Sequence, residues 1–272
     1  TVNPVNDAPV LGALSDGTTD EDVDFTLTLT GSDVDGDDLT YFAQVDGNGS
    51  ASVDGTTLTV SPAADYNGDI EVTITVSDGQ SNDVASFTLT VDPVNDAPVI
   101  ASIADQAIDE DQSLSLDLSA SDVDGDILTF SASSDNGDVV VDGSSLTVTP
   151  GQDFNGSILV DVSVTDGSET DSTSFTLTVN PVNDAPILSF VEDLIFEEDG
   201  TGSVILLASD IDSSDLLYSV SGGSSIQASI TDNVVVFTPS PDYNGSEEFT
   251  AAVTDGEYSV SQSFNVTIIP VN

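Results

Sequence analysis

The sequence predicts an all-β protein made of three consecutive β-sandwiches. Val, Ile, Leu, Phe and Thr alternate with polar residues in two-residue periods, which is typical of strands that bury one face. Turn residues interrupt these runs about every 8–12 residues, and no segment has the period of a helix. In addition, one six-residue string returns at a nearly constant interval, which indicates repeated domains.

The string Pro-Val-Asn-Asp-Ala-Pro marks the start of each repeat. It begins at positions 4, 93 and 181, and Pro-Val-Asn returns at 270, so the steps are 89, 88 and 89 residues. Four other landmarks keep the same phase: an acidic triplet at Asp20, an Asp-x-Asp pair at Asp33, an Asp-Tyr-Asn-Gly loop at Asp65 and an Asp-Gly turn at Asp78. We therefore predict domains at 1–92, 93–180 and 181–272, and we expect the chain to be an excerpt of a longer array.

Each repeat is predicted to contain about seven short strands, labelled A to G in chain order. Within strand B of the first repeat, Phe25, Leu27 and Leu29 face inward and the threonines between them face outward. Strands D and E form a hairpin about Asp54-Gly55, which is a strong turn signal. The alternation places strands B, C, F and G at about 23–30, 39–45, 70–76 and 85–91.

The charge of the chain has only one sign. The 272 residues include 50 Asp and Glu and no Lys, Arg or His, for a net charge of −50 at pH 7. No salt bridge, Lys–Asn isopeptide crosslink or histidine switch is therefore available to the fold. Self-repulsion at this charge destabilises a compact state unless ions screen or bind the carboxylates. Hard cations that prefer oxygen ligands, calcium above all, are the expected partners.

Composition excludes several classes of protein. Apolar residues make up 38% of the chain, and 21 glycines bring the total near that of ordinary globular domains, which argues against disorder. There is no Cys for a disulfide or a thiol nucleophile, no apolar run long enough to cross a membrane and no visible signal peptide. Nucleic acid and anionic membrane surfaces would be repelled, because the chain has no cation to neutralise phosphate.

The alternating direction of sandwich strands brings the acidic loops together where consecutive repeats meet. The A–B and E–F loops lie at the bottom of one repeat, and the B–C and F–G loops lie at the top of the next. The first junction should gather Glu21, Asp65, Asn95, Asp96, Asp122, Asp124 and Asp166, and the second Glu110, Asp153, Asn183, Asp184, Asp210, Asp212 and Asp255. Their equivalents at the outer ends are Asn6, Asp7, Asp33, Asp35, Asp78, Glu198 and Asp242. With backbone carbonyls and water, these residues can supply the roughly six to eight oxygens that a Ca2+ ion takes.

The linker and the acidic loops together resemble those of cadherin repeats, in the form found in large bacterial surface adhesins with tandem cadherin-like domains. The Asn-Asp-Ala-Pro linker is similar to the inter-repeat linker of that family, and the Asp-x-Asp pair of the B–C loop matches its signature. Glu21 is the counterpart of the lone Glu in the family's A–B loop. Asp65 stands where the family has an acidic ligand pair, but Asn67 replaces the second acid.

The resemblance covers the whole chain and implies three tandem seven-stranded Greek-key sandwiches of the cadherin/Ig type in a linear array. It also implies calcium at each junction and a role in adhesion. The third repeat departs from the pattern, because Asp210-Ile211-Asp212-Ser213-Ser214 lacks the Gly and the third Asp of the earlier loops. A ligand at Asp37 or Asp126 therefore has no certain counterpart in that repeat.

Other motifs have simpler explanations than a functional site. The Asp-x-Asp-Gly-Asp loops look like the start of an EF-hand, but the twelfth positions are Gln44 and Ser133 rather than Glu, and no helices flank them. Three Asn-Gly-Ser triplets fit the glycosylation pattern, yet their recurrence within the repeat favours turns. Asp54-Gly55 and Asp142-Gly143 are predicted to be turns only.

Enzymatic activity is not expected. Paired carboxylates can hydrolyse glycosides, but that chemistry needs a cleft with aromatic platforms. The chain has no Trp, and its 6% aromatic residues fall at strand and loop positions that a core explains. Asp78 and Asp166 fit two roles, that of ion ligand and that of F–G turn former.

Two functions fit the sequence. The first is a calcium-rigidified stalk or fibre segment of an extracellular bacterial adhesin or surface filament, with the neighbouring repeats as partners. The second is a recognition module that binds carbohydrate or, through calcium, other copies of the chain. Nothing in the sequence singles out an exposed patch for recognition. A spacer inside a secreted enzyme is a third alternative that the sequence does not separate from the first.

Overall fold

The computed structural model describes residues 5–271, and in that range every regular element is a β-strand. The all-β prediction is therefore confirmed. Pro4, at the start of the first linker string, and Asn272, at the end of the last one, lie outside the described residues. No helix in the described range is long and apolar enough to cross a membrane.

The first repeat is a sandwich of two sheets with an additional short ladder. One sheet has the strand order β2-β9-β8-β5 and the other β3-β7-β6, while β1 pairs with β4. The strands are β1 (Val10–Leu11), β2 (Gly17–Asp20), β3 (Phe25–Thr28), β4 (Gly31–Ser32), β5 (Thr40–Val45), β6 (Gly49–Asp54), β7 (Thr57–Pro62), β8 (Gly68–Ser77) and β9 (Asn82–Asp92).

These nine segments correspond to the seven predicted strands, because strands A and B are each broken in two. β1 pairs antiparallel with β4, whereas β2 pairs parallel with β9, so strand A changes sheets between Leu11 and Gly17. At the break, Gly12 donates its N–H to Thr30 O at 2.7 Å, and a Cβ at Gly12 would lie 2.0 Å from Thr30 Oγ1. A side chain at Gly12 would therefore displace Thr30.

The second repeat has the same elements in the same order. Its sheets have the orders β11-β18-β17-β14 and β12-β16-β15, and β10 pairs with β13. The strands are β10 (Val99–Ile100), β11 (Gln106–Asp109), β12 (Leu114–Asp117), β13 (Ala120–Ser121), β14 (Thr129–Ser134), β15 (Asp138–Asp142), β16 (Ser145–Thr149), β17 (Gly156–Thr165) and β18 (Thr170–Asn180).

The third repeat again follows this plan. Its sheets have the orders β20-β27-β26-β23 and β21-β25-β24, and β19 pairs with β22. The strands are β19 (Ile187–Leu188), β20 (Leu194–Glu197), β21 (Gly202–Ile205), β22 (Ala208–Ser209), β23 (Leu217–Gly222), β24 (Ile226–Thr231), β25 (Val234–Pro239), β26 (Gly245–Thr254) and β27 (Ser259–Ile269).

The inward residues predicted from the alternation form the core of the first sandwich. Leu58, Ile70 and Ile74 are fully buried, and the rings of Phe25 and Phe87 lie 6.1 Å apart. Each such side chain contributes roughly 1.5–3 kcal/mol when it leaves water. The third repeat has a more aromatic core, in which three phenylalanines pack together at centroid distances of 4.9, 5.9 and 6.3 Å.

The D–E hairpin turns through a residue with left-handed backbone in every repeat. This residue is Gly55 (φ 60°) in the first repeat and Gly143 (φ 61°) in the second, whereas the third has Asp232 (φ 53°). Glycine adopts positive φ without steric cost, and aspartate tolerates it better than most residues. The predicted turn function of the Asp-Gly pairs agrees with this geometry.

The described chain divides into two compact units within the second repeat. One unit contains the first repeat, the chain that follows it as far as Ser102, and the segments Leu118–Ser131 and Val162–Thr173. The other contains Ile103–Asp117, Ala132–Asp161 and the chain from Ser174 onward. The first linker and the top loops of the second repeat therefore belong to the first unit, and the second linker with its surrounding loops belongs to the second unit. Each predicted junction lies inside one unit.

Candidate metal centres

The B–C loop of each repeat is folded around its first aspartate. Asp33 Oδ1 accepts hydrogen bonds from the backbone N–H groups of Asp35, Gly36 and Asp37 at 2.8, 3.0 and 3.3 Å. Asp122 Oδ1 and Asp210 Oδ1 accept bonds of the same kind in the second and third repeats. A side chain that bonds its own loop in this way sets a tight turn, so the second carboxylate of Asp-x-Asp is held at a defined position.

The second oxygen of each of these aspartates is buried without a partner. Oδ2 of Asp33, Asp122 and Asp210 is shielded from solvent and accepts no hydrogen bond within the described residues. Buried polar atoms normally have a partner, because an unsatisfied one costs about 1–3 kcal/mol of desolvation. No cationic side chain exists in the chain to fill that role, so a bound ion or water is needed to satisfy these oxygens.

At the first junction, carboxylates from three separate segments converge on the linker residue Asp96. The A–B and E–F loops of the first repeat and the B–C loop of the next repeat each contribute. Three groups of carboxylates have oxygens within 4.8 Å of one another: Glu21–Asp96–Asp124, Asp22–Asp65–Asp96 and Asp122–Asp124–Asp126. Because Asp96 and Asp124 each belong to two groups, the three groups form one continuous acidic centre.

Backbone bonds fix the linker between the two repeats of this junction. The carboxylate of Glu21 is buried, and its Oε1 accepts the N–H of Val94 at 2.6 Å. Asp124 Oδ2 accepts the N–H of Asp96 at 2.8 Å. One acid from the preceding repeat and one from the following repeat therefore position the linker backbone beside the carboxylate cluster.

Asn95 and Asp166 form a contact of their own at the first junction. Asn95 Nδ2 donates to Asp166 Oδ2 at 2.9 Å and to Asp96 O at 3.1 Å. Asp166 Oδ1 accepts the N–H groups of Ser168 and Glu169 at 2.6 and 2.7 Å, so it also shapes the F–G turn. These bonds lower the pKa of Asp166. The structure thus places Asp166 as an anchor for the linker, and Asp166 belongs to none of the carboxylate groups found among the described residues.

The second junction repeats this frame with fewer converging carboxylates. Glu110 Oε1 accepts the N–H of Val182, and Asp212 Oδ2 accepts the N–H of Asp184 at 2.7 Å. Asn183 Nδ2 donates to Asp255 Oδ2 at 2.8 Å, which lowers the pKa of Asp255. Within the described residues, the group with oxygens inside 4.8 Å at this junction is Asp111–Asp153–Asp184.

In both clusters, the environment raises the pKa of the linker aspartate. Desolvation together with the neighbouring carboxylates, Asp65 first, raises the pKa of Asp96. Desolvation and the carboxylates around it, Asp153 first, raise the pKa of Asp184 in the same way. A raised carboxyl pKa means that negative charge at these positions is unfavourable without a cation.

Two residues that the sequence interpretation did not assign as ligands, Asp22 and Asp111, belong to the clusters. Asp22 Oδ1 accepts the N–H of Asp65 at 3.3 Å, and Asp111 Oδ1 accepts that of Asp153 at 3.2 Å. All four residues have left-handed backbone, with φ of 58°, 55°, 63° and 54° for Asp22, Asp65, Asp111 and Asp153. The sequence signal for Asp22 and Asp111 was their recurrence in phase with the repeat. They were not assigned as ligands because the family pattern names only the glutamate that precedes each of them.

At the outer ends of the described chain, the top loops of the first repeat and the bottom loops of the third repeat form the same contacts with the adjacent linker residues. Asp7 N donates to Asp35 Oδ2 at 2.8 Å, and Asn6 Nδ2 donates to Asp78 Oδ2 at 2.9 Å. Asp33, Asp35 and Asp37 form a carboxylate group there. At the bottom of the third repeat, Glu198 Oε1 accepts the N–H of Val271 at 2.9 Å, and Asp242 has φ 57° as Asp65 and Asp153 do.

The donor set suits a hard divalent cation. All candidate ligands are carboxylate or amide oxygens, no soft ligand is available, and two of the three aspartates with an unpartnered Oδ2, Asp33 and Asp122, belong to carboxylate groups. Calcium takes about six to eight oxygens in flexible geometry, whereas magnesium requires a near-ideal octahedron and usually retains waters. Calcium therefore fits the residues that are present better than magnesium does.

Three segments of the chain, residues 6–92, 95–180 and 183–268, match the family of bacterial Ig domains. Because these segments cover most of the sequence, the chain belongs to this family, as three domains in tandem. No curated relative matches the sequence. Domains of this kind are typically non-enzymatic, extracellular modules with structural or adhesive roles.

Solved structures of similar fold include cadherin fragments. The chain is similar to PcdhgB3 EC1-4 at 16% identity, over 98% of this chain and 77% of that one, with a TM-score of 0.57. It is also similar to extracellular cadherin domains 1-4 of protocadherin gamma B7 at 16% identity, over 97% and 77%, with a TM-score of 0.51. At these identities the likeness concerns the fold alone. The predicted resemblance to tandem cadherin-like repeats is confirmed at that level.

Proposed function

We propose that this chain is a calcium-rigidified segment of a stalk or fibre in an extracellular bacterial adhesin or surface filament. The observation that supports it most directly is Asp122 Oδ2, which is buried and unpartnered although Asp122 belongs to one of the three carboxylate groups of the first junction. In this proposal the neighbouring repeats are the partners, and the array carries a binding tip away from the cell surface.

The proposal depends on where the ligands come from. Glu21 belongs to one repeat, Asp96 to the linker and Asp124 to the next repeat, and their oxygens lie within 4.8 Å of one another. One ion bound to all three would restrain the linker with respect to both repeats. Without an ion, the three negative charges repel one another in a partly desolvated site, which favours opening of the junction.

Small-angle scattering with calcium and with chelator, at fixed ionic strength, tests the proposal. We expect calcium to convert a flexible particle into an extended one with a narrower distribution of shapes, and to raise the melting temperature. Magnesium at the same concentration serves as the control for charge screening, because it is a poorer fit to a flexible multi-carboxylate site.

The same scattering profile in calcium and in chelator would contradict the proposal, because the acidic loops would then be solvated surface. A matched variant localises the effect. Asp124→Ala should restore flexibility at the first junction in calcium and leave the second junction ordered. If Asp124→Ala left both junctions unchanged, the assignment of ligands would be wrong.

A further inference from the structure

The third repeat exposes an apolar face on its outer surface. Phe190, Ile205, Leu207 and Val234 are 79%, 61%, 59% and 37% exposed, and we call these four side chains the outer patch. Large apolar side chains that are exposed side by side are typical of an interaction site, whereas single ones are ordinary.

Backbone pairing and strand alternation place Ile205, Leu207 and Val234 next to one another, and Phe190 lies one residue from the partner of Leu207. Ile205 is the cross-strand partner of Val234 in the β21–β25 ladder. Ser189 N donates to Leu207 O at 2.8 Å, so Ser189 lies opposite Leu207, and Phe190 is the next residue along the chain. Leu206 is fully buried, so its neighbours Ile205 and Leu207 both face outward.

The first two repeats have small or polar residues at the same positions. The equivalence rests on the hydrogen bond from strand A to strand B and on the end of the B–E ladder, which recur in all three repeats. The residues that stand in place of the outer patch are Ala13, Thr28, Thr30 and Thr57 in the first repeat and Ser102, Asp117, Ser119 and Ser145 in the second. The sandwich therefore does not require apolar residues at these positions.

The backbone under the outer patch is held more firmly than in the first repeat. Leu206 N donates to Asn233 O at 2.8 Å, and Asn233 Nδ2 donates back to Leu206 O at 2.9 Å. The first repeat has only the counterpart of the first bond, from Leu29 N to Thr56 O at 2.7 Å. A rigid surface loses less entropy when a partner binds.

Acidic residues border the outer patch. Asp232 occupies the left-handed turn position where the other repeats have Gly55 and Gly143, so a carboxylate stands two residues from Val234. Exposed Glu192 follows Phe190 at the same spacing on the other side. A surface with an apolar centre and an acidic rim is complementary to one with an apolar centre and a basic rim.

We propose that the outer patch is a docking surface for a basic protein partner, whose apolar side chains cover the four residues and whose Lys or Arg side chains reach Asp232 and Glu192. A second copy of the chain is a poor occupant, because it has no cation and brings further carboxylates to the rim. Three of the four side chains are aliphatic, which suits protein side chains better than sugar rings, because sugar rings stack on aromatic platforms. The proposal does not depend on calcium at the junctions.

Binding of defined peptides to the whole chain tests this proposal. The probes are an extended peptide of alternating Leu and Lys, a Ser/Lys peptide of equal charge and a Leu/Glu peptide, titrated in calcium at about 0.15 M salt. We expect the Leu/Lys peptide to bind best, and its affinity to fall about tenfold or more in the variant Phe190→Ser, Ile205→Thr, Leu207→Thr, Val234→Thr. The Ser/Lys peptide should not distinguish the variant from the natural chain.

Two matched variants complete the test. Ile195 is 63% exposed on the other sheet, where the first repeat has Thr18, so Ile195→Thr should leave peptide binding unchanged. The reverse transfer, Ala13→Phe with Thr28→Ile, Thr30→Leu and Thr57→Val, should give the first repeat a second site. Equal binding of the Leu/Lys peptide by the natural chain and the four-residue variant would overturn the proposal. Self-association that the four-residue variant abolishes would also overturn it, with a second copy as the occupant.

Discussion

The two junctions share one frame but differ in the loop that each receives from the following repeat. In both, a glutamate accepts the first linker N–H, the second acid of Asp-x-Asp accepts another, and an asparagine joins the linker to the F–G turn. The first loop continues with Gly125 and Asp126, whereas the second continues with Ser213 and Ser214. The frame that positions the linker is therefore independent of the number of carboxylates that surround it.

The difference predicts that the junctions bind calcium unequally. Asp124 lies in two carboxylate groups, and no group found among residues 5–271 includes Asp212. Affinity of an oxygen site for calcium follows the count and charge of its ligands. We expect the first junction to keep its ions at calcium concentrations at which the second has lost them.

Removal of calcium should have the largest effect. An ion present at 100 times its dissociation constant stabilises the folded state by about 2.7 kcal/mol. For domains of this size, 1 kcal/mol corresponds to about 4–8 °C, so chelator should lower the melting temperature by about 10–20 °C. Calorimetry at stepwise calcium concentrations would show whether two transitions separate. A single transition at every calcium concentration would remove the distinction between the junctions.

Asp124→Asn and Asp212→Asn form the next comparison. The first change removes a charged ligand from two groups, and we expect about a 100-fold loss of calcium affinity at the first junction. The second change, outside any such group, should cost about tenfold at the second junction. Calcium titration followed by NMR signals of Gly125 and Gly256 would assign each loss to a junction. Equal losses would mean that carboxylate count does not set affinity.

The effect of Asp96→Asn on the melting temperature should have opposite signs in chelator and in calcium. The pKa of Asp96 is raised by desolvation and by its acidic neighbours, so the folded state binds a proton at Asp96 more tightly than the unfolded state does. In chelator at pH 7 the substitution should therefore raise the melting temperature, and in saturating calcium it should lower it. The gain in chelator should shrink as pH falls through the raised pKa, because natural Asp96 then becomes neutral as well.

Asp184→Asn provides the matched control at the second junction, where the pKa of Asp184 is raised for the same reasons. A smaller loss in calcium than for Asp96→Asn would sharpen the contrast between the two junctions. Stabilisation by either substitution in saturating calcium would show that the linker aspartate is no ligand.

The smallest effect is expected from rebuilding the second loop. Gly125 has φ 78°, so transfer of the first loop requires a glycine as well as the acid. Ser213→Gly with Ser214→Asp should raise calcium affinity of the second junction about tenfold or less, and Asp126→Ser should lower that of the first by a similar factor. Isothermal titration of the two variants side by side checks both directions. If the rebuilt loop gave no gain in calcium affinity, the difference in affinity between the two junctions would arise from residues outside this loop.

Strand positions were accessible from the sequence because each strand buries one face. The alternation of Phe25, Leu27 and Leu29 with threonine is enough to predict which side of the sheet they occupy, and Asp54-Gly55 predicts the hairpin. The break in strand A was not accessible, since it depends on β1 and β2 pairing with different sheets. A parallel pairing such as that of β2 with β9 joins residues far apart in sequence and leaves no local signal.

Convergence of the acidic loops was likewise predictable from strand direction, and the structure brings Glu21, Asp65, Asp96 and Asp124 together as that direction requires. The exact membership of each cluster was not. Asp22 joins because its carboxylate accepts the N–H of Asp65, while Asp166 accepts hydrogen bonds from Asn95 and from its own turn.

The sequence by itself determined the repeat length, the sandwich class and the absence of any cationic side chain, because periodicity and composition are properties of the chain alone. Only the tertiary structure decided that one oxygen of Asp122 is buried without a partner and that exposed Ile205 and Val234 lie side by side. Burial and adjacency arise when strands from distant positions pair. A residue's solvent exposure is therefore set by its neighbours across the sheet and not by its neighbours along the chain.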